Sequence, residues 1–431
     1  MYTLAQRKQL KCEKTFFYGW IIVVACLVTL LIAGTAYYCF GIFFKPLQDE
    51  FGWDRTLTSS ANTIYLLVYA VSLCTIGGLA DRYGPRLVLA GGALLMGGGF
   101  VLCSQIHNIW HLYLSIALVG LGQGTIWSPP LAIVQRWFFK RRGLMLGIVT
   151  SGVGLGILVI IPVLSLLIST YGWRLTFICL GAGSWFFLTL SSIAMAASPE
   201  GKGLQPYGWQ EAREPIISIS VEAGQPQLPV TPQWSTGEAV RTKAFIMVVM
   251  IYIAAMISVS MIGAHFVRFA IDIGIEQTTA ASAFGLIGGL SIIGKIVVGG
   301  TTERMSWNWS LGICCFGAAI VISFLSAAVD LRTIYLCAAF YGFFYGGIIP
   351  LVPGLTGHLF GTRFLSQLIG MVSGIGIAVG SIGPIIAGFI FDKTGSYAIS
   401  FILAAGSFVL AGILAIRVRS PKKASSSSPF P

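Results

Sequence analysis

The chain has 431 residues, of which 56% are hydrophobic and 10% charged, against about 25% charged in an ordinary soluble domain. That much apolar surface cannot be hidden in a water-soluble core, which excludes a soluble enzyme and points to a chain embedded in a bilayer. The net charge of +12 names no partner until its distribution along the chain is known.

Apolar segments follow one another near residues 20–44, 56–80, 87–106, 112–135, 143–168, 175–197, 244–267, 277–300, 310–329, 333–357, 365–391 and 398–416. A bilayer crossing needs roughly 20 helical residues, so these predict twelve transmembrane helices. The first follows Arg7, Lys8, Lys11 and Lys14, as the core of a signal peptide would. Its uncharged run from Ile21 to Phe44 is too long for one and is flanked by Trp20 and Lys45, so it reads as a retained helix. Glycine and proline inside the spans are tolerated because neighbouring helices re-satisfy the freed backbone groups. All nine cysteines but Cys12 lie in apolar runs and read as packing residues rather than a disulfide framework.

Residues 198–243 form the only long connection, with mixed charge, Pro, Gly and Ser, and read as a flexible cytoplasmic linker. It separates an N-terminal half at 1–197 from a C-terminal half at 244–416. The tail at 417–431, with its run of four serines, reads as disordered. With the N-terminus in the cytoplasm, inside segments carry 20 of the 27 Lys and Arg, outside loops carry six, and Lys295 lies within a span. This is the positive-inside asymmetry, which places both termini in the cytoplasm and turns the basic excess toward anionic lipid. The reading is a multi-pass protein of the plasma (cell inner) membrane with no nucleic-acid partner.

A shift of 222 residues superimposes the halves. Gly52, Asp54, Thr56, Ser60 and Ala61 fall on Gly274, Glu276, Thr278, Ser282 and Ala283; Gly77, Gly78, Asp81 and Arg82 fall on Gly299, Gly300, Glu303 and Arg304. Gly120, Gly124, Arg141 and Pro162 fall on Gly342, Gly346, Arg363 and Pro384. Two parallel six-helix repeats about an axis along the membrane normal describe the major facilitator architecture, whose substrate site lies at mid-bilayer between the halves.

Two motifs carry the resemblance further. Gly77-Gly78-Leu79-Ala80-Asp81-Arg82-Tyr83-Gly84-Pro85-Arg86 is similar to the signature loop of the major facilitator superfamily. Gly78, Asp81, Arg82 and Arg86, with Glu303 and Arg304 in the second half, are the expected cytoplasmic latch, a set of charges that makes and breaks as the halves rock. Trp137-Phe138-Phe139-Lys140-Arg141-Arg142-Gly143-Leu144-Met145-Leu146-Gly147 resembles a signature of the monocarboxylate transporter family, which includes oxalate:formate antiporters. Met145 departs from the usual Ala, and Tyr18-Gly19-Trp20 is a shortened form of that family's first motif.

Lys295 is the one charge well inside a span. At ~1.5 Å per residue it sits roughly 9 Å inside the turn at Thr301, where a cation costs at least ~2.5 kcal/mol and is by default a pathway residue. Snorkelling toward the inner surface is the alternative. The resemblance implies that this helix-8 cation anchors a substrate carboxylate. The family commonly has Arg here, with an acid one turn earlier in its animal members; this chain has Lys295 and Ser291, so the acid of the family's proposed proton route is not at that position. The second cation of the oxalate exchangers is missing from residues 365–391, so one positive charge suits a monoanion. Tyr341 and Tyr345, four apart on one helix face, match an aromatic pair of the oxalate exchangers. Trp127 and Tyr38 are further substrate candidates, and Lys45 at the outer mouth is either an anion-capturing group or an interfacial lysine. His265 is the imidazole nearest a span centre and the proton-coupling candidate, against an ordinary structural histidine.

The sequence therefore predicts a proton-coupled symporter of small monocarboxylates such as lactate or pyruvate, working as a monomer by alternating access without metal or cofactor. A carboxylate antiporter is the alternative, and a non-transporting carboxylate sensor a more remote one. A drug exporter lacks support because Pro162 follows Ile161 rather than the Gly of its helix-5 run. No paired carboxylates, metal-spaced Cys or His, or phosphate loop points to an enzyme.

Overall fold

The computed structural model describes residues 17–209 and 233–421. Its apolar helical stretches number eleven, and the twelfth crossing comes from a break inside one of them. Arg142–Ala194 is continuous over 53 residues, but Gly172 leaves helical geometry with φ 84° and ψ 164°, values that a side chain would strain. This reverses the chain and gives the two spans expected there.

The helices are α1 (Gly19–Phe51), α2 (Arg55–Tyr83), α3 (Pro85–Cys103), α4 (Ile109–Trp137), α5 (142–171), α6 (173–194), α7 (Lys243–Asp272), α8 (Gln277–Thr301), α9 (Trp307–Leu325), α10 (Leu331–Phe360), α11 (Leu365–Thr394) and α12 (Ala398–Arg417). No β-strand occurs among the described residues. Local chemistry sets the ends. Asp54, Asn108, Thr242 and Ser306 accept from backbone N–H groups in the first turns of α2, α4, α7 and α9, filling donors that a helix start leaves open. Pro85 opens α3, where a missing N–H costs nothing. A π-helical turn at Gly156–Ile160 precedes Pro162 in α5, and such turns relieve a locally broken bond ladder.

The repeat extends to the partners of the residues it aligns. Ser60 shares a hydrogen bond with Tyr113 at 2.5 Å, and Ser282 does so with Tyr335, the same pair 222 residues on. Gly52 and Gly274 close matching turns with φ of 65° and 91°. Each half has its own core: Phe43, Phe100, Phe177 and Trp137 lie in one, Phe266, Phe360, Phe401 and Phe408 in the other.

The halves meet at the face that carries Gly19 and Arg417. There α2 packs on α11 and α5 on α8, nearly backbone to backbone. A Cβ at Gly77 would strike the Ser366 carbonyl, at Gly299 that of Gly143, and at Gly147 that of Lys295, so glycine is what lets these helices touch. Gln135 of α4 adds a bond to the Pro353 carbonyl in α10 at 3.1 Å. The distal segments Phe40–Phe51 and Gly383–Thr394 instead pack within their own halves. The molecule is thus closed at the terminal face, with a cavity left at mid-depth.

The linker differs from its expected flexible reading at both described ends. Tyr207 exchanges backbone bonds with Trp137 and Phe139 at 2.9 and 3.0 Å. Ser235 and Glu238 form a reciprocal cap on a short helix, Thr236–Val240, and the Trp234 N–H donates to the Phe360 carbonyl at 3.2 Å. Backbone polar groups beside a membrane surface need partners, and the ends of the bundle supply them. Residues 210–232 and 422–431, the middle of the linker and nearly all of the tail, lie outside the described residues.

Candidate functional site

The central cavity has a volume of about 90 Å³ and lies between the halves. α1 brings Tyr37 and Tyr38, α2 Tyr69, α4 Gln123 and Trp127, α7 Tyr252, α8 Lys295 and α10 Tyr345. Lys295 is 3% exposed. Its Nζ donates to Ser291 Oγ at 3.1 Å, one turn earlier on the same helix, and the Ser291 hydroxyl in turn donates a hydrogen bond to the Gly288 carbonyl at 2.7 Å. No Asp, Glu, Arg or His lines the cavity among the described residues.

Six aromatic side chains share the wall with aliphatic ones. Tyr341 stacks on Tyr345 at 5.8 Å between ring centroids with planes 13° apart. Its own hydroxyl is buried without a hydrogen-bond partner, so it backs Tyr345 rather than lining the space. Tyr37 meets Tyr38, Tyr65 and Tyr69 edge-on at 4.9, 6.4 and 6.2 Å. Trp127 Nε1 donates across the halves to Ser373 Oγ at 3.2 Å. Gln123 Nε2 donates to the Ala33 carbonyl at 2.9 Å, while its Oε1 is buried and unpaired. The arrangement offers one positive charge, several phenols and an amide in a mostly apolar enclosure, which can orient a small anion with a short apolar body.

Of the sequence candidates, the fold brings Lys295, Ser291, Tyr38, Trp127, Tyr341 and Tyr345 together. Lys45 is exposed on the distal part of α1 and does not line the cavity. His265 also lies outside it. With Nε2–H donating to the Pro384 carbonyl at 3.0 Å, its Nδ1 accepts the Tyr397 hydroxyl at 3.3 Å, so both nitrogens are engaged in holding α7 to α11 and to the start of α12.

Tyr37, Tyr69, Tyr252 and Gln123 were missed. Gln123 had a signal, as an amide inside the uncharged run of α4; the tyrosines carried none beyond lying in spans.

The latch differs from expectation in its base. Asp81 pairs with Arg136 of α4 at 2.7 Å, with side chains 2% and 15% exposed, and also accepts the Gln367 N–H of α11 at 2.9 Å. Arg136 reaches on to the Thr362 and Arg363 carbonyls at 2.8 and 3.1 Å. Gly78 lies against the Gln367 side chain. Arg82 is exposed and stacks on Tyr83, because one helix position beyond Asp81 points away from the seam. Arg86 donates to the Met195 carbonyl within the N-terminal half. Glu303 and Arg304 are exposed and form no ion pair among the described residues.

Residues 26–330 match the family model of the Major Facilitator Superfamily. The chain belongs to the major facilitator superfamily. It is 28% identical over 434 residues to mouse Monocarboxylate transporter 12, covering 96% of this chain and 88% of that one. Rat Monocarboxylate transporter 13 is 26% identical, covering 92% of this chain and 87% of its own length. In fold it resembles the proton:xylose symporter XylE bound to 6-bromo-6-deoxy-D-glucose, with a TM-score of 0.73 at 15% identity over 92% of this chain and 94% of that one. The chain is therefore a transporter of this superfamily, homologous to monocarboxylate transporters, and not an enzyme.

Proposed function

We propose that this transporter carries a small monocarboxylate, lactate- or pyruvate-like, with a proton across the plasma membrane, as a monomer whose halves rock about the cavity. Both termini and the linker face the cytoplasm in this reading, which the distribution of Lys and Arg supports. Lys295 carries the proposal: a buried cation in the cavity whose one side-chain partner among the described residues is a serine hydroxyl is a site for one negative charge. Tyr38, Tyr345 and Trp127 enclose the body of the acid. Asp81, with Arg136 in place of Arg82, holds the cytoplasmic side shut.

Uptake of labelled lactate, pyruvate, acetate, formate and oxalate into proteoliposomes, with and without an inward proton gradient, tests the reading. Gradient-driven uptake of the monoanions over oxalate is expected. Lys295→Gln keeps polarity and removes the charge, so binding and transport should both collapse; wild-type affinity in the folded variant would remove Lys295 from the site. That no carboxylate or imidazole lines the cavity among the described residues favours a second reading, carboxylate exchange. Counterflow without dependence on a pH gradient is its mark.

A further inference from the structure

Among the described residues, the cavity holds a cation without a counter-charge and no carboxylate or imidazole to accept a proton. We infer that Lys295 is itself the proton carrier, crossing as the ammonium when a carboxylate is bound and returning as the neutral amine when the cavity is empty. This rests on the carboxylate reading above and names the residue that couples it.

An ammonium has three N–H donors, and here the Nζ has one side-chain acceptor, Ser291 Oγ. That hydroxyl donates to Gly288 and so accepts equally from an amine or an ammonium. Buried charge of this kind is costly unless paired, and the pairing group must then be the substrate. Facing Lys295 across the cavity are the neutral phenols of Tyr37 and Tyr38 on α1, Tyr69 on α2, Tyr252 on α7 and Tyr345 on α10; α5 presents Val153, and α4 presents Gln123 and Trp127. The charged groups on the helices packed against α8 sit in their first or last turns: Arg142 on α5, Lys243, Arg268 and Asp272 on α7, Arg332 and His358 on α10. His265, deeper in α7, is bonded away from the cavity.

The balance closes without another group. Loaded, the ammonium and carboxylate sum to zero; on release the carboxylate and one proton pass to water, leaving an uncharged amine. Each cycle moves one proton with one monoanion, and no conformational change takes a bare charge through the closed state. Lysine can do this because its charge is lost readily on burial, whereas a guanidinium keeps its proton.

The experiment compares two fluxes of labelled lactate through purified wild type and Lys295→Arg in proteoliposomes: counterflow at equal pH, and net uptake driven by an inward proton gradient. Lys295→Arg should retain measurable counterflow, because only the loaded, neutral form crosses. Its net uptake relative to counterflow should fall on the order of a hundredfold, because the empty carrier must return with its charge. Equal gradient drive in Lys295→Arg and wild type overturns the assignment while leaving the carboxylate site standing. No drive in wild type removes symport itself, and with it the proton carrier.

Should Lys295→Arg lack counterflow, Lys295→Cys modified with aminoethyl or trimethylammonioethyl methanethiosulfonate asks the same question. The titratable amine should restore both fluxes and the permanent cation counterflow alone; restoration of both by the permanent cation, or of neither by the amine, refutes the inference.

Discussion

Replacing Asp81 with asparagine removes one charge and little else, which makes it the sharpest probe of the closed terminal face. The carboxylate is 2% exposed and lies 2.7 Å from Arg136, and it accepts the Gln367 N–H across the seam. Deleting one partner of a buried pair costs about 3–5 kcal/mol. Asparagine can still accept from Gln367, and Arg136 keeps its two carbonyl bonds and some solvent. The closed state should therefore lose about 2–3 kcal/mol, which at ~1.4 kcal/mol per decade shifts the balance between closed and open forms about 30- to 150-fold. Ser366, 1% exposed against Gly77, reports the change. In nanodiscs, Ser366→Cys should react with a maleimide at least about ten-fold faster when Asp81→Asn is added. Transport should drop while substrate affinity stays within a few fold. An unchanged reaction rate in a folded double variant would refute the latch, and lost binding would show that Asp81 serves the cavity instead.

Gly77→Ala places a methyl against the Ser366 carbonyl and should hold the terminal face open, so transport falls and Ser366→Cys reacts faster even with Asp81 intact; normal transport would mean that α2 and α11 need not touch. His265→Gln should leave proton-driven uptake in place and lower stability by about 1 kcal/mol for the lost hydrogen bond, seen in thermal unfolding; loss of the gradient effect alone would return the proton to this imidazole. Ser235→Cys should resist an impermeant thiol reagent added outside intact cells, and strong labelling there would reverse the proposed orientation.

The crossings, the parallel repeat and Lys295 were legible because each depends on composition and periodicity along one strand of chain. Roughly 20 apolar residues make a span, a constant offset of 222 aligns the halves, and a lone charge in an apolar run stands out wherever the helix goes. The break that separates α5 from α6 was visible only as a charged gap; its cause, the positive φ of Gly172, is a backbone fact. Tertiary structure decided who meets whom. Asp81 pairs with Arg136, 55 residues away in sequence, rather than with adjacent Arg82, because neighbours on a helix point in different directions while the faces of α2 and α4 converge. Tyr37, Tyr69 and Tyr252 joined Tyr345 because helices from both halves turn phenols toward the same space, and nothing local distinguishes such a tyrosine from one in the core. His265 went the other way, to the Pro384 carbonyl and Tyr397. The sequence alone thus placed one cation within an apolar span, and only the packing of twelve helices decided that Lys295 is buried and that, among the described residues, no acid lines the cavity with it.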